Sequence, residues 1–371
     1  MDLPAPLAWL LDEACATPGA DRFLAELGAR LLADGLPLAG GALTLAVPHP
    51  IIARRTWLWR AETGAVIEAL GFEPMGPVGT GGGAEAGRVG RDWLARLGAG
   101  SVLEEVAGPA AGSPSAAGPV LAWAASRPLT DGQSALLRQA ARFAAAPLAS
   151  LGWRATLAAL LEAYVGRRGA AQVLAGQSRR ALGETIRAVL LVGDLRGFTE
   201  LSECLTPEAV VAVLDAWFDR LAGAVHAFGG EVLKFIGDGV LAIFPLGEQP
   251  PAIACDAALR AVAAAQAGMA HLDRARRGQG LPSLHFGLAL HLGDMLWGNV
   301  GTADRLDFTA IGPAVNLVSR LEGLCRPLGR TVLVSGAVAA ETTAPLVPLG
   351  EHRLRGIAAP CAVFTLPEDA A

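Results

Sequence analysis

At 371 residues the chain is long for one domain and, at roughly 150 residues per domain, reads as two. Its 52% hydrophobic and 18% charged residues exclude a disordered protein and supply ample core. A net charge of -5 and a pI near 5.7 exclude the basic face expected of a nucleic-acid partner, so pairs such as Arg179-Arg180 and Arg276-Arg277 read as solvated positions.

Cys15, Cys204, Cys255, Cys325 and Cys361 form no CxxC pair and read as reduced thiols of a cytoplasmic protein. The opening MDLPAPLAWLLDEA carries Asp2 and no basic region, so no secretory signal is expected. The apolar stretch FAAAPLASLGW holds a Pro and falls well short of the ~18 residues that span a bilayer, which predicts a soluble protein.

Residues 1–150 form the first expected unit. DRFLAELGARLLADG has helical periodicity and ends in Gly; GALTLAV and RTWLWRA follow as strands. The Gly-rich MGPVGTGGGAEAG lacks the Lys-Ser/Thr ending of a phosphate loop and reads as a flexible connection. VLAWAAS is a further strand, and Thr130 or Asp131 caps a closing helix. This order resembles a divergent GAF-type sensor domain over residues 20–146, an α/β unit that would answer to a small-molecule effector. Six of the eight Trp lie before residue 154, where core packing accounts for most. His49, beside two prolines, reads as a loop residue.

A helical linker is expected over 151–185. Leu157, Leu160, Leu161, Tyr164 and Val165 keep helical spacing, and Gly166 and Gly169 suggest a break. The segment fits either a coiled-coil transmitter or a helix docked on its own domain.

Residues 186–371 form the second unit. The strand RAVLLVGD ends at Asp194. A helix follows, with Thr206 at its cap, Pro207 at its first position and Gly229-Gly230 at its stop. EVLKFIGDGVLAIF, residues 231–244, reads as a buried β-hairpin with Asp238 at its tip. Then come a helix from AIACDAAL to DRARR, a strand LHFGLALHLG with a partner DMLWGNVG, a strand RLDFTAIG, a helix PAVNLVSRLEGLC and a strand RTVLVSG. The fold class is α+β, in the ferredoxin-like β-α-β-β-α-β order with additions at the C-terminal side.

Asp194 and Asp238, each closing a strand, would bring two carboxylates side by side with little nearby to neutralise them. That is a divalent-metal arrangement. Of the 30 Lys and Arg residues only Lys234, on the same hairpin, is Lys. In a chain otherwise committed to Arg, an ammonium here suggests a position where a planar guanidinium would not serve.

VGDLRGFTELSE, LKFIGDGVLAIF and DFTAIGPAVNLVSRLE resemble, in order and spacing, the three signature blocks of class III nucleotidyl cyclases, over roughly residues 186–367. The resemblance implies that Asp194 and Asp238, with the carbonyl of Leu195, hold two divalent ions, Mg or Mn. It implies that Lys234 and Thr309 select adenine, that Asn316 positions the ribose, that Arg320 stabilises the transition state and that Arg355 grips phosphate. Thr309 also matches a subgroup described as bicarbonate-responsive. Pro313 departs from the family's usual Asp or Asn and merely starts the helix. Asn316 and Arg320, four apart, leave one helix face.

In such enzymes the metal aspartates and the purine, Asn and Arg residues come from different subunits, which implies a head-to-tail homodimer acting on ATP. The alternatives are a guanylate cyclase, opposed by Lys234 and Thr309, and an inactive cyclase-like interaction module, opposed by the intact site set. A diguanylate cyclase would carry a GGDEF-like hairpin where this chain has KFIGDGV.

Overall fold

The computed structural model describes residues 3–46, 52–72, 88–97, 101–107, 118–176, 183–302 and 304–370. His49, the Gly-rich stretch and Arg179-Arg180 lie outside the described residues. The chain divides into two units, Met1–Leu161 and Glu162–Ala371.

The first unit runs α1 (Ala5–Asp12), a 3-10 turn (Ala14–Ala16), α2 (Ala20–Ala33), β1 (Leu38–Ala46), β2 (Ile52–Arg60), β3 (Val66–Phe72), α3 (Arg88–Ala95), β4 (Ser101–Val106), β5 (Val120–Ala125), α4 (Asp131–Phe143) and the start of α5 (Ala145–Leu174). Its sheet is antiparallel, in the order β3-β2-β1-β5-β4. Every residue of the internal strand β5 is buried, as its unbroken apolar run requires. Phe23, Leu24, Leu27 and Leu31 put the apolar stripe of α2 on one face of this sheet. Trp59 and Trp123 meet edge to face at 6.2 Å in that core, and Trp9 tilts against Phe23 at 5.6 Å. Thr130 caps α4 through a reciprocal box with Gln133.

The helical segment expected over 151–185 begins earlier, at Ala145, and is not continuous. Gly166 (φ 74°) takes a left-handed conformation that breaks α5 there, while Gly169 stays helical against Phe308. Before the break, Leu148 and Leu151 enter the first unit's core and Arg154 donates to the carbonyls of Cys15 and Thr17. Trp153 and Tyr164 remain 75% and 85% exposed, with Leu157 and Leu160 exposed between them.

The second unit runs β6 (Glu184–Leu195), α6 (Phe198–Cys204), α7 (Pro207–Ala227), β7 (Glu231–Ile236), β8 (Gly239–Pro245), α8 (Pro251–Gly278), β9 (Phe286–Gly301), β10 (Leu306–Ile311), α9 (Pro313–Glu322), β11 (Val332–Ser335), α10 (Gly336–Ala339), β12 (Val347–His352), β13 (Cys361–Thr365) and α11 (Pro367–Ala370). The sheet order is β12-β13-β11-β9-β6-β8-β7, with β10 on β9. Its β9-β6-β8-β7 portion, antiparallel throughout, is the ferredoxin-like core. Both faces of β6 are covered: Val189 and Leu191 pack with Trp217 and Leu221, and Ala188 and Leu190 pack with Val318 and Leu321. This two-sided burial is why the strand reads as an apolar run instead of alternating.

Two expectations are corrected. Residues 286–301, read as a strand and its partner, form the single strand β9. It pairs with β6 from Phe286 to Trp297 and with β10 from Leu296 to Gly301, and the unbroken ladder on β6 overrides the turn signal of Gly293-Asp294. The hairpin of residues 231–244 is not uniformly buried: β8 is internal, whereas β7 is the sheet edge and leaves Phe235 and Ile236 exposed. The first strand also begins at Glu184, two residues ahead of the expected boundary.

Among the described residues no single helix is long and apolar enough to cross a membrane. The bent pair α4 and α5 passes on length and composition alone, and its Leu137, Ala140, Ala144 and Leu148 are committed to the first unit's core.

Candidate active site

The register of β6 on β8 decides where the first carboxylate stands. Gly193 faces Val240, so Asp194 comes level with Gly239, immediately after Asp238 in the two-residue turn between β7 and β8. The two carboxyl groups stand close enough that burial first, then the charge of Asp238, pushes Asp194 up to about 7, with the charge of Glu322 adding to the rise. Two such carboxyls cannot both ionise cheaply unless a cation joins them. With the main-chain carbonyl of Leu195 at the end of β6, they suit a hard divalent ion. No group of three or more His, Cys, Asp or Glu side chains forms a closed metal cage among the described residues, so ligand oxygens would have to complete the shell.

The turn is held from below. Trp217, fully buried on α7, donates its indole N–H to the Asp238 carbonyl at 2.9 Å, and its ring tilts against Phe286 at 5.4 Å. Glu322, at the end of α9, lies against Gly287 so closely that a Cβ there would stand 2.4 Å from its Oε1. Gly287 is the register partner of Asp194, which places this third carboxyl beside the pair. Burial raises Glu322, Arg196 opposes the rise and Asp238 adds to it. The pair is therefore less isolated than its sequence context suggests. Neither Trp217 nor Glu322 carries a local sequence signal that would single it out; the apolar run on α7 and the block NLVSRLE merely contain them.

The remaining candidates sit on β7, β10, α9 and the turn after β12. Lys234 on β7 reaches β10, where its Nζ lies 2.5 Å from Asp307 Oδ2, and Thr309 is two residues further along that strand. Lys234 is thus partly exposed and ion-paired, although it lies on the hairpin that the sequence reads as buried. Asn316 and Arg320 are both exposed on one face of α9, opposite buried Ala314, Val318 and Leu321. Arg355 is exposed in the turn after β12 and has no hydrogen bond or ion pair with the other candidates among the described residues.

The helical spacing of α9 separates Arg320 from the aspartates. Arg320 precedes Glu322 by two positions, about 200° around a helix, so the face with Glu322 beside the aspartates is not the face with Arg320.

A strand-end carboxylate pair on a ferredoxin-like core, followed by an Asn and an Arg on the helix after β10, defines the C-terminal unit as a nucleotidyl cyclase domain. Residues 184–358 match the adenylate and guanylate cyclase catalytic domain family, and this part of the chain belongs to it. Adenylate cyclase 1 of Rhizobium meliloti (strain 1021) is 36% identical over 44% of this chain and 25% of its own length. Adenylate cyclase of Anabaena cylindrica is 33% identical over 43% of this chain and 32% of its own. The chain thus spans a third or less of these two relatives. A bacterial light-regulated adenylyl cyclase of known structure is 27% identical, covering 57% of this chain and 60% of its own, with a TM-score of 0.49.

Proposed function

We propose that the chain is an adenylate cyclase, converting ATP to 3′,5′-cyclic AMP and pyrophosphate in a homodimer whose sites are shared between subunits. The observation that carries this reading is the paired Asp194 and Asp238 carboxyls, with Arg320 on a helix face turned away from them.

Asp194, Asp238 and the Leu195 carbonyl would hold two divalent ions, Mg or Mn. Bound there, such ions would favour ionisation of the ribose 3′-hydroxyl and take up charge on the triphosphate. Trp217 fixes the turn that presents Asp238, so both carboxylates meet the nucleotide from a rigid base. Lys234 and Thr309 would read the adenine edge and Asn316 would orient the ribose. The 3′-oxygen then forms its bond to the α-phosphorus as the bond to pyrophosphate breaks and the hydroxyl proton departs. Arg320, a planar fork suited to charge spread over phosphoryl oxygens, would stabilise that passage, with Arg355 on the outgoing phosphates.

Phe235, Ile236 and Ile311, exposed on β7 and β10, supply apolar surface for a partner copy. The first unit would act as a GAF-like regulatory domain on a cytoplasmic enzyme, answering to a small-molecule effector.

Mixing Asp194→Ala chains with Arg320→Ala chains tests the shared site. Each variant alone should be inactive, and the mixed dimer should recover one working site. Co-assembled chains that stay inactive would refute it.

A further inference from the structure

Asp307 has no part in the chemistry above, yet it makes the one ion pair of Lys234 among the described residues. On β10 the residues alternate: Phe308 and Ala310 face the core, and Asp307 and Thr309 share the outward face. Lys234 comes to that face from β7, its Nζ 2.5 Å from Asp307 Oδ2. The side chains are 25% and 63% exposed, and an ion pair this open adds little to folding. Holding the fold together is therefore not its main effect; what the pair fixes is the place of the ammonium.

That place matters because lysine alone discriminates poorly. Its ammonium is a point charge on a flexible four-carbon stem with rotatable donors. Left untethered, it could donate to adenine N1 or swing to guanine O6. The Thr309 hydroxyl donates as readily as it accepts, so it satisfies an amino group or a carbonyl equally. Selection thus falls on an ammonium that cannot follow the base. Tethered opposite position 1, it meets an acceptor on adenine and an N–H on guanine.

We propose that Asp307 is a positioning residue for purine selection: its carboxylate anchors Lys234 on the face of β10 that carries Thr309, turning a mobile cation into a discriminator for adenine over guanine. This rests on the adenylate cyclase reading and assigns the residue that sharpens it.

The composition supplies a direct probe. Lys234 is the one Lys of the chain, so lysine-selective 13Cε labelling of the full-length protein gives a single side-chain resonance. In the wild type that methylene should be restrained, and in Asp307→Ala it should become mobile; equal mobility in both would overturn the proposal. In kinetics with Mn, Asp307→Ala should lower the ATP-over-GTP ratio of kcat/KM by about tenfold, the size expected for losing one charged hydrogen bond, mostly through KM for ATP. Asp307→Asn, which keeps an acceptor, should fall between, and Lys234→Ala/Asp307→Ala should match Lys234→Ala. Loss of preference in Lys234→Ala with full preference in Asp307→Ala defeats the anchor alone. No preference in the wild type, or full preference in Lys234→Ala, defeats the purine reading and the anchor with it.

Discussion

Trp217 and Trp297 offer a matched pair of perturbations around the site. Both are fully buried in the second unit, and each is packed against a phenylalanine, Phe286 at 5.4 Å and Phe308 at 5.9 Å. Replacing either by Phe removes similar volume, so the packing loss should be comparable, on the order of 1–3 kcal/mol. The hydrogen bonds differ. Trp217 donates to the Asp238 carbonyl at 2.9 Å, whereas Trp297 Nε1 is buried with no partner among the described residues. Trp217→Phe therefore also loses a part-buried hydrogen bond, a further cost of about 1 kcal/mol, and Trp297→Phe deletes an orphan donor and recovers part of its packing loss. The first variant should be less stable than the second by about 1–2 kcal/mol. Urea unfolding of the full chain, with hydrogen exchange on β6 and β8 to isolate the second unit, measures the difference. Trp217→Phe should also weaken Mn binding, because the turn bearing Asp238 loses its support. Equal destabilisation with unchanged Mn affinity would refute the claim that Trp217 positions the turn.

Burial lowers His291 from 6.5 to about 4, so below pH 6.5 the unfolded chain takes up a proton that the folded chain refuses. Its contribution is present above pH 6.5 and is lost as pH falls to 4, a total of about 3 kcal/mol; His291→Gln should flatten that part of the stability profile measured by urea titration. Arg168, after the break in α5, holds Glu231 at 2.8 and 3.0 Å and lies 3.7 Å from Glu184, tying the starts of β7 and β6. With the pair partly exposed, Arg168→Ala should cost about 1–2 kcal/mol in urea unfolding, and Arg168→Lys should restore less than half because it cannot grip both oxygens.

Features set by a few adjacent residues were legible in the sequence. Thr206 and Pro207 start α7, Gly237 and Asp238 make the turn, and the helical spacing of Asn316 and Arg320 puts both on one exposed face. Features set by pairing across the fold were not. A Gly-Asp step reads as a turn until β6 and β10 hold both ends of β9 straight, and an apolar strand reads as buried until the topology puts β7 at the edge. Glu322, Trp217, Arg168 and Asp307 escaped for the same reason: each acts on a residue more than twenty positions away, and nothing local marks it.

The most direct test of the central claim is product formation by the purified full-length chain given ATP or GTP with Mn, beside Asp238→Asn. Cyclic AMP well above cyclic GMP, lost in the variant, is the expected result. A folded, dimeric wild-type protein that forms neither product would contradict the enzyme reading, and cyclic GMP as the main product would contradict the purine assignment while leaving the metal pair in place.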